Sequence, residues 1–110
     1  MRSRVENELP HLDGENLATT RCVEACRDVF GEVQRAMAIH KGMQCQHEAY
    51  AVILEELDEF WEQVKINPKK LSEEQKEYRL AELRKELIQT AAMCVRAVVD
   101  LKLNPSKRGY

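Results

Sequence analysis

The chain has little of what breaks helices: four glycines and three prolines in 110 residues, with aromatics at only 5%. Scarce glycine and proline disfavour a turn-rich sheet protein, and scarce β-promoting aromatics disfavour it further. No apolar run approaches the roughly 20 residues that span a bilayer. The first ten residues, Met1 to Pro10, contain no apolar segment of the kind a secretion signal carries, so the expectation is a cytoplasmic protein. There is no basic surplus: 17 Lys and Arg stand against 19 Asp and Glu, a net charge of -2, and no nucleic-acid polymer is expected as a partner. The four cysteines, Cys22, Cys26, Cys45 and Cys94, form no close-spaced zinc set and read as reduced thiols. His11, His40 and His47 are scattered, with no HExxH or ExxH spacing, which excludes the usual zinc-peptidase and ferritin-like di-iron patterns. No GxxxxGK loop is present, so a phosphate ligand would have to be held by side chains or a metal.

What remains is a helix-forming composition with apolar residues at helical spacing, and the fold class read from it is all-α. Residues 1–18 read as an irregular arm, since Pro10 and Asp13-Gly14 are turn signals. The domain proper spans 19–103, and 104–110 reads as a loose tail. The first helix is expected to start after Thr19 or Thr20 as N-cap and to reach Ile39, with Val23, Cys26, Phe30, Val33 and Met37 as its buried stripe. Lys41-Gly42 reads as its stop, with the glycine in a left-handed cap. The second helix is expected over 44–66, burying Tyr50, Ile53, Leu57, Phe60 and Val64, with Trp61 beside them as a packing residue. Asn67-Pro68 ends it. Ser72-Glu73-Glu74-Gln75 has the form of a capping box and opens a third helix that runs to about Leu103. That helix shows two apolar faces: one is Leu80, Leu83, Leu87, Cys94, Val98 and Leu101, the other Ile88, Ala92, Val95 and Val99. The second face reads either as a subunit interface or as a surface covered by the first helix or the arm. A chain this short buries a modest core, which favours the interface. The architecture expected is an antiparallel helical bundle built on a long helix hairpin and completed by oligomerisation.

The chemistry is concentrated in acids. Glu55-Glu56-Leu57-Asp58-Glu59 places Glu56 and Glu59 one turn apart on one flank of the second helix. Glu86-Leu87-Ile88-Gln89 repeats that arrangement on the third helix. If the two helices pack as a hairpin through the 67–71 link, these flanks face each other. Converging carboxylates repel unless a cation neutralises them. An all-oxygen set suits Mg²⁺, and Mn²⁺ as its substitute. The plain alternative is a solvated acidic face.

These two elements resemble the MazG-like, all-α nucleoside triphosphate pyrophosphohydrolases, which carry Glu-Glu-x-x-Glu on one helix and Glu-x-x-Asp on the next. Residues 55–59 fit the first element, and 86–89 fit the second except at Gln89, where the family has an acid. Thr90-Ala91-Ala92-Met93 is similar to the small-residue stretch that often follows. The resemblance covers about residues 45–100. It implies Glu56, Glu59 and Glu86 as Mg²⁺ ligands, with Gln89 as a neutral fourth position and Glu82, one turn before Glu86, as a compensating acid. Glu55 would position the attacking water or act as base. Arg96 would contact substrate phosphate, with Lys65, Arg79 and Lys85 as weaker candidates. The implied reaction is hydrolysis of a nucleoside triphosphate to the monophosphate and pyrophosphate, by a homodimer or homotetramer. The alternative readings are a non-catalytic oligomerising or adaptor domain of the same fold, weakened at Gln89, and an ordinary helical interaction module.

Overall fold

The computed structural model describes residues 16–103 and Pro105, and among them the chain is helical throughout, with no strand. Three helices, α1 (Leu17–Ile39), α2 (Gln46–Val64) and α3 (Glu73–Asp100), are joined by a short turn and by a link containing one 3-10 turn at Pro68–Lys70. Most of the expected arm and tail lies outside the described residues. No helix among the described residues is long and apolar enough to cross a membrane.

Local chemistry sets the helix ends. The first helix begins at Leu17, earlier than the expected cap at Thr19 or Thr20. It ends on His40 in an extended conformation, and Gly42 is not left-handed, contrary to expectation. A Cβ at Gly42 would stand 3.4 Å from the Asp100 side chain, an ordinary contact distance, so neither space nor backbone conformation demands glycine there. At the start of α2, Glu48 reaches back and accepts a hydrogen bond from the Gln44 N–H at 2.6 Å. The Ser72 capping box forms as expected. Its hydroxyl accepts from Gln75 N–H at 3.1 Å, and the Gln75 side chain accepts from Ser72 N–H at 2.9 Å. The third helix stops at Asp100, short of Leu103. Lys102 takes φ 58°, while Leu103 N–H bonds to Val98 O and Lys102 N–H to Val99 O. That pairing is a Schellman cap with lysine where glycine is usual.

Both α1 and α2 pack against α3. Arg79 bonds to the carbonyl of Gln63, while Ala49 and Ala97 share a cluster, so α2 and α3 run in opposite directions. Asp28 meets Arg84 and Lys41 meets Arg96, so α1 runs parallel to α3. The apolar core is small: Met43, Ala49 and Ala97, with Val52, Ile53, Met93 and Leu101 against them.

The faces turned inward match those the apolar periodicity selects only in part: Val33 is buried and Ile53, Phe60 and Leu83 are half-buried as expected, while much of each stripe is exposed. On α1 the buried residues are Val33 and Ala36, while Phe30 is 62% and Met37 50% exposed. On α2, Tyr50 and Trp61 stand exposed and Leu57 is 45% exposed, while Ala49 is buried and Glu56 half-buried. On α3 the buried residues are Glu86, Ala92, Arg96 and Ala97, and Leu80, Leu87, Cys94, Val95, Val98 and Val99 are exposed. Each helix is thus turned by roughly one residue position, about 100°, from its expected orientation. The inward side carries small residues and ionic groups, and the large apolar side chains form an outer surface. Ala92, expected in a subunit contact, is fully buried within the chain.

Candidate metal centre

Turning α2 and α3 in this way brings their acids together. Glu56 lies on the inner side of α2, with Glu59 one turn on at its exposed edge, and Glu86 faces them from α3. One carboxylate oxygen from each of the three lies within 4.8 Å of the others. Glu86 is only 7% exposed. Glu56 Oε1 and Glu86 Oε1 are both shielded from solvent and have no hydrogen-bond partner. Buried polar atoms without partners are rare, because each forfeits its hydration without recompense.

The electrostatics follow from this placement. Burial raises the Glu56 carboxyl above its ordinary value, and the charges of Glu59, Glu86, Glu55 and Glu32 raise it further. Glu86 is raised by burial, then by the charge of Glu59 and a hydrogen bond shared with it; Lys85 opposes the rise and Glu82 adds to it. Such a group either keeps protons at a cost in acidity or takes a cation. Two orphaned oxygens in an all-oxygen donor set fit a hard divalent ion.

The other expected residues are placed less simply. Gln89 lines a cavity of about 140 Å³ beside the cluster, together with Glu32, Arg35, His40, Glu56 and Met93. Glu82 is 3.8 Å from Lys85 and stands outside the three-carboxylate set. Glu55 is exposed and borders a second cavity of about 290 Å³, which also touches Met43, Val52, Glu56, Met93 and Arg96. Lys85 lies in a groove between α1 and α3 with Arg27, Arg35 and Arg84. Lys65 pairs with Glu62 at 3.0 Å near the far end of α2, and Arg79 is occupied by the Gln63 carbonyl.

Arg96 is a correction. It was expected to reach phosphate, but it is 4% exposed and already engaged. Its guanidinium donates to Lys41 O at 2.9 Å and lies 3.3 Å from the Asp100 carboxylate. Asp100 in turn accepts from Met43 N–H at 2.9 Å. Arg96 and Asp100 therefore fasten the α1–α2 turn onto α3. Trp61, expected to pack inside, is exposed, and all four cysteines are free and exposed.

Sequence reasoning missed Glu32 and Arg35, which pair with each other on α1 and border the cleft. The signal available was positional: Glu32 lies on the half-buried side of α1 once the helix is turned from its apolar stripe, with the exposed Arg35 one turn on beside it. Compared with protein-family models, curated proteins and solved structures, the chain matches none.

Proposed function

We propose that this chain is a Mg²⁺-dependent hydrolase that cleaves a nucleoside triphosphate to the monophosphate and pyrophosphate. The observation that carries the reading is the set of carboxylates on Glu56, Glu59 and Glu86, with oxygens within 4.8 Å and two of them buried without partners. These three residues would hold the ion, with Gln89 beside them. When bound, the ion would neutralise the acids and polarise phosphoryl oxygens. Glu55, exposed at the mouth of the 290 Å³ cavity, orients a water molecule and accepts its proton. That cavity has apolar surface from Met43, Val52 and Met93 and suits a small organic moiety, so it takes the nucleoside end. Lys85 lines a groove with Arg27, Arg35 and Arg84, which also holds Asp28, Glu32 and Gln89. These basic side chains, several of them paired with acids, are the candidates for the phosphate chain.

The test is a panel of nucleoside triphosphates with Mg²⁺, reading pyrophosphate release. Glu56→Gln should lower kcat/KM by at least on the order of a hundredfold, as loss of a preorganised charge does. A panel with no turnover would remove the enzyme reading. It would favour a non-catalytic adaptor of the same fold, which the neutral Gln89 and the open apolar faces support.

A homodimer or homotetramer, completing a helical bundle, is part of the proposal. Its support is the exposure of Leu57, Trp61, Leu80, Leu87, Val95 and Val99 on one small chain, since so many exposed large apolar side chains favour burial against a partner. Light scattering at micromolar concentration should report an assembly. Val95→Asp should shift it to monomer, because a buried unpaired charge is strongly unfavourable. A wild-type monomer would eliminate this part.

A further inference from the structure

The site as described has three acids and one amide. On α3, position 89 offers an amide oxygen but no charge. Ligand charge governs how tightly a hard cation is held. The first helix brings an acid beside this cluster, outside the three carboxylates that already lie within 4.8 Å of one another. Glu32 lines the 140 Å³ cavity with both Glu56 and Gln89, and its charge acts on Glu56. It does not lie free: it is paired with Arg35, three residues on along its own helix. The independent sign that the cluster awaits a ligand is Glu86, 7% exposed, with an oxygen that has no partner.

We propose that Glu32 supplies the fourth carboxylate of the magnesium site from α1, in place of the charge that Gln89 does not carry. The proposal rests on the metal-dependent reading of Glu56, Glu59 and Glu86. It gives the Glu32–Arg35 pair a reason. Glu32 and Glu56 line one small cavity, and Glu59 and Glu86 cluster with Glu56 beside it, so the four carboxylates repel each other when no ion is present. A guanidinium one turn along α1 neutralises Glu32 in that state, and the ion replaces Arg35 when it binds. It also makes the site depend on all three helices, so that α1 belongs to the chemistry and not only to the packing.

The test titrates the full chain with Mn²⁺, a paramagnetic stand-in for Mg²⁺, and reads free Mn²⁺ by electron paramagnetic resonance with Mg²⁺ as competitor. Circular dichroism in EDTA checks that each variant is folded. Glu32→Gln should weaken binding about tenfold, in keeping with the loss of one ligand charge. Arg35→Gln should tighten it severalfold by removing the competing cation. Adding Gln89→Glu to Glu32→Gln should recover most of the lost affinity. Glu82→Gln, whose acid is engaged by Lys85, should change it far less than Glu32→Gln does. A wild type that binds Mn²⁺ and a Glu32→Gln variant that binds equally well would overturn the proposal and leave the three-carboxylate reading standing. A wild type that binds no Mn²⁺ would overturn both.

Discussion

Glu86 and Arg96 lie about three turns apart on the buried side of α3, both nearly out of reach of water, yet their surroundings differ in kind. Arg96 has an opposite charge at 3.3 Å and a backbone carbonyl at 2.9 Å, and its partner Asp100 is itself hydrogen-bonded to Met43. Glu86 has two more acids beside it and an oxygen with nothing to bond to. Arg96 also keeps one buried nitrogen, Nε, without a partner, so the difference lies in the sign of the neighbouring charge: an opposite charge offsets part of the burial cost and like charges add to it. Buried like charges are relieved either by keeping protons or by taking a cation. One end of the interface is held by an ion pair, and on the proposed reading the other gives stability up for an ion.

The sharpest way to break this contrast is to remove one member from each region. Arg96→Ala leaves Asp100 uncompensated and frees the Lys41 carbonyl. It should cost about 3–5 kcal/mol, as loss of one member of a buried pair does, read by urea unfolding. Glu86→Gln should behave oppositely. In EDTA it should leave the melting temperature unchanged or raise it, because it relieves repulsion. With Mg²⁺, the wild type should gain stability by mass action, about 2.7 kcal/mol at a hundredfold excess over Kd, and Glu86→Gln should gain much less. If Glu86→Gln destabilises the ion-free protein as strongly as Arg96→Ala does, the two regions are alike and the binding-site reading fails.

A smaller effect appears in the pH dependence. The folded-state values of Glu56 and Glu86 lie above the ordinary one, so between the two values the folded state binds more protons than the unfolded state. Unfolding free energy then falls as pH rises through that window, and this contribution is fully present only below the unfolded value. Ion-free protein should therefore become more stable as pH is lowered from neutral toward the ordinary glutamate range, until other carboxylates dominate. Saturating Mg²⁺ should flatten or reverse the slope, since the ion competes with protons for the same oxygens. Thermal melts across pH with EDTA and with Mg²⁺ would show it; identical slopes would count against an ion at this cluster.

Much of this was legible in the sequence, and what was not has a common cause. The three helices, the Ser72 box and the pairing of Glu56 and Glu59 with Glu86 rest on local spacing, which the chain states directly. The orientation of each helix does not. Apolar periodicity identifies a face that must leave water, but not whether it is covered by the same chain. Phe30, Leu57 and Leu87 lie on such faces and are 62%, 45% and 49% exposed. Assigning those faces to the interior hid Glu32, which lies half-buried on the inward side, and its exposed partner Arg35. Arg96 was misread for a different reason: its flank is visible from spacing, but the Lys41 carbonyl that occupies it comes from a distant turn.

The fastening of that turn has a consequence for how the molecule is made. Arg96 to Lys41 spans 55 positions and Asp100 to Met43 spans 57. Contacts so far apart in sequence close late, because the intervening chain must be ordered first. On the ribosome, α1 and α2 emerge with their turn unfastened, and it stays so until the last turns of α3 clear the exit tunnel. A nascent chain halted before Arg96 would already contain Glu32, Glu56, Glu59 and Glu86. It would lack the latch that fixes α1 and α2 against α3, and with it Ala97 and Leu101 of the apolar core, so the segment that carries the acids is not the one that times their assembly.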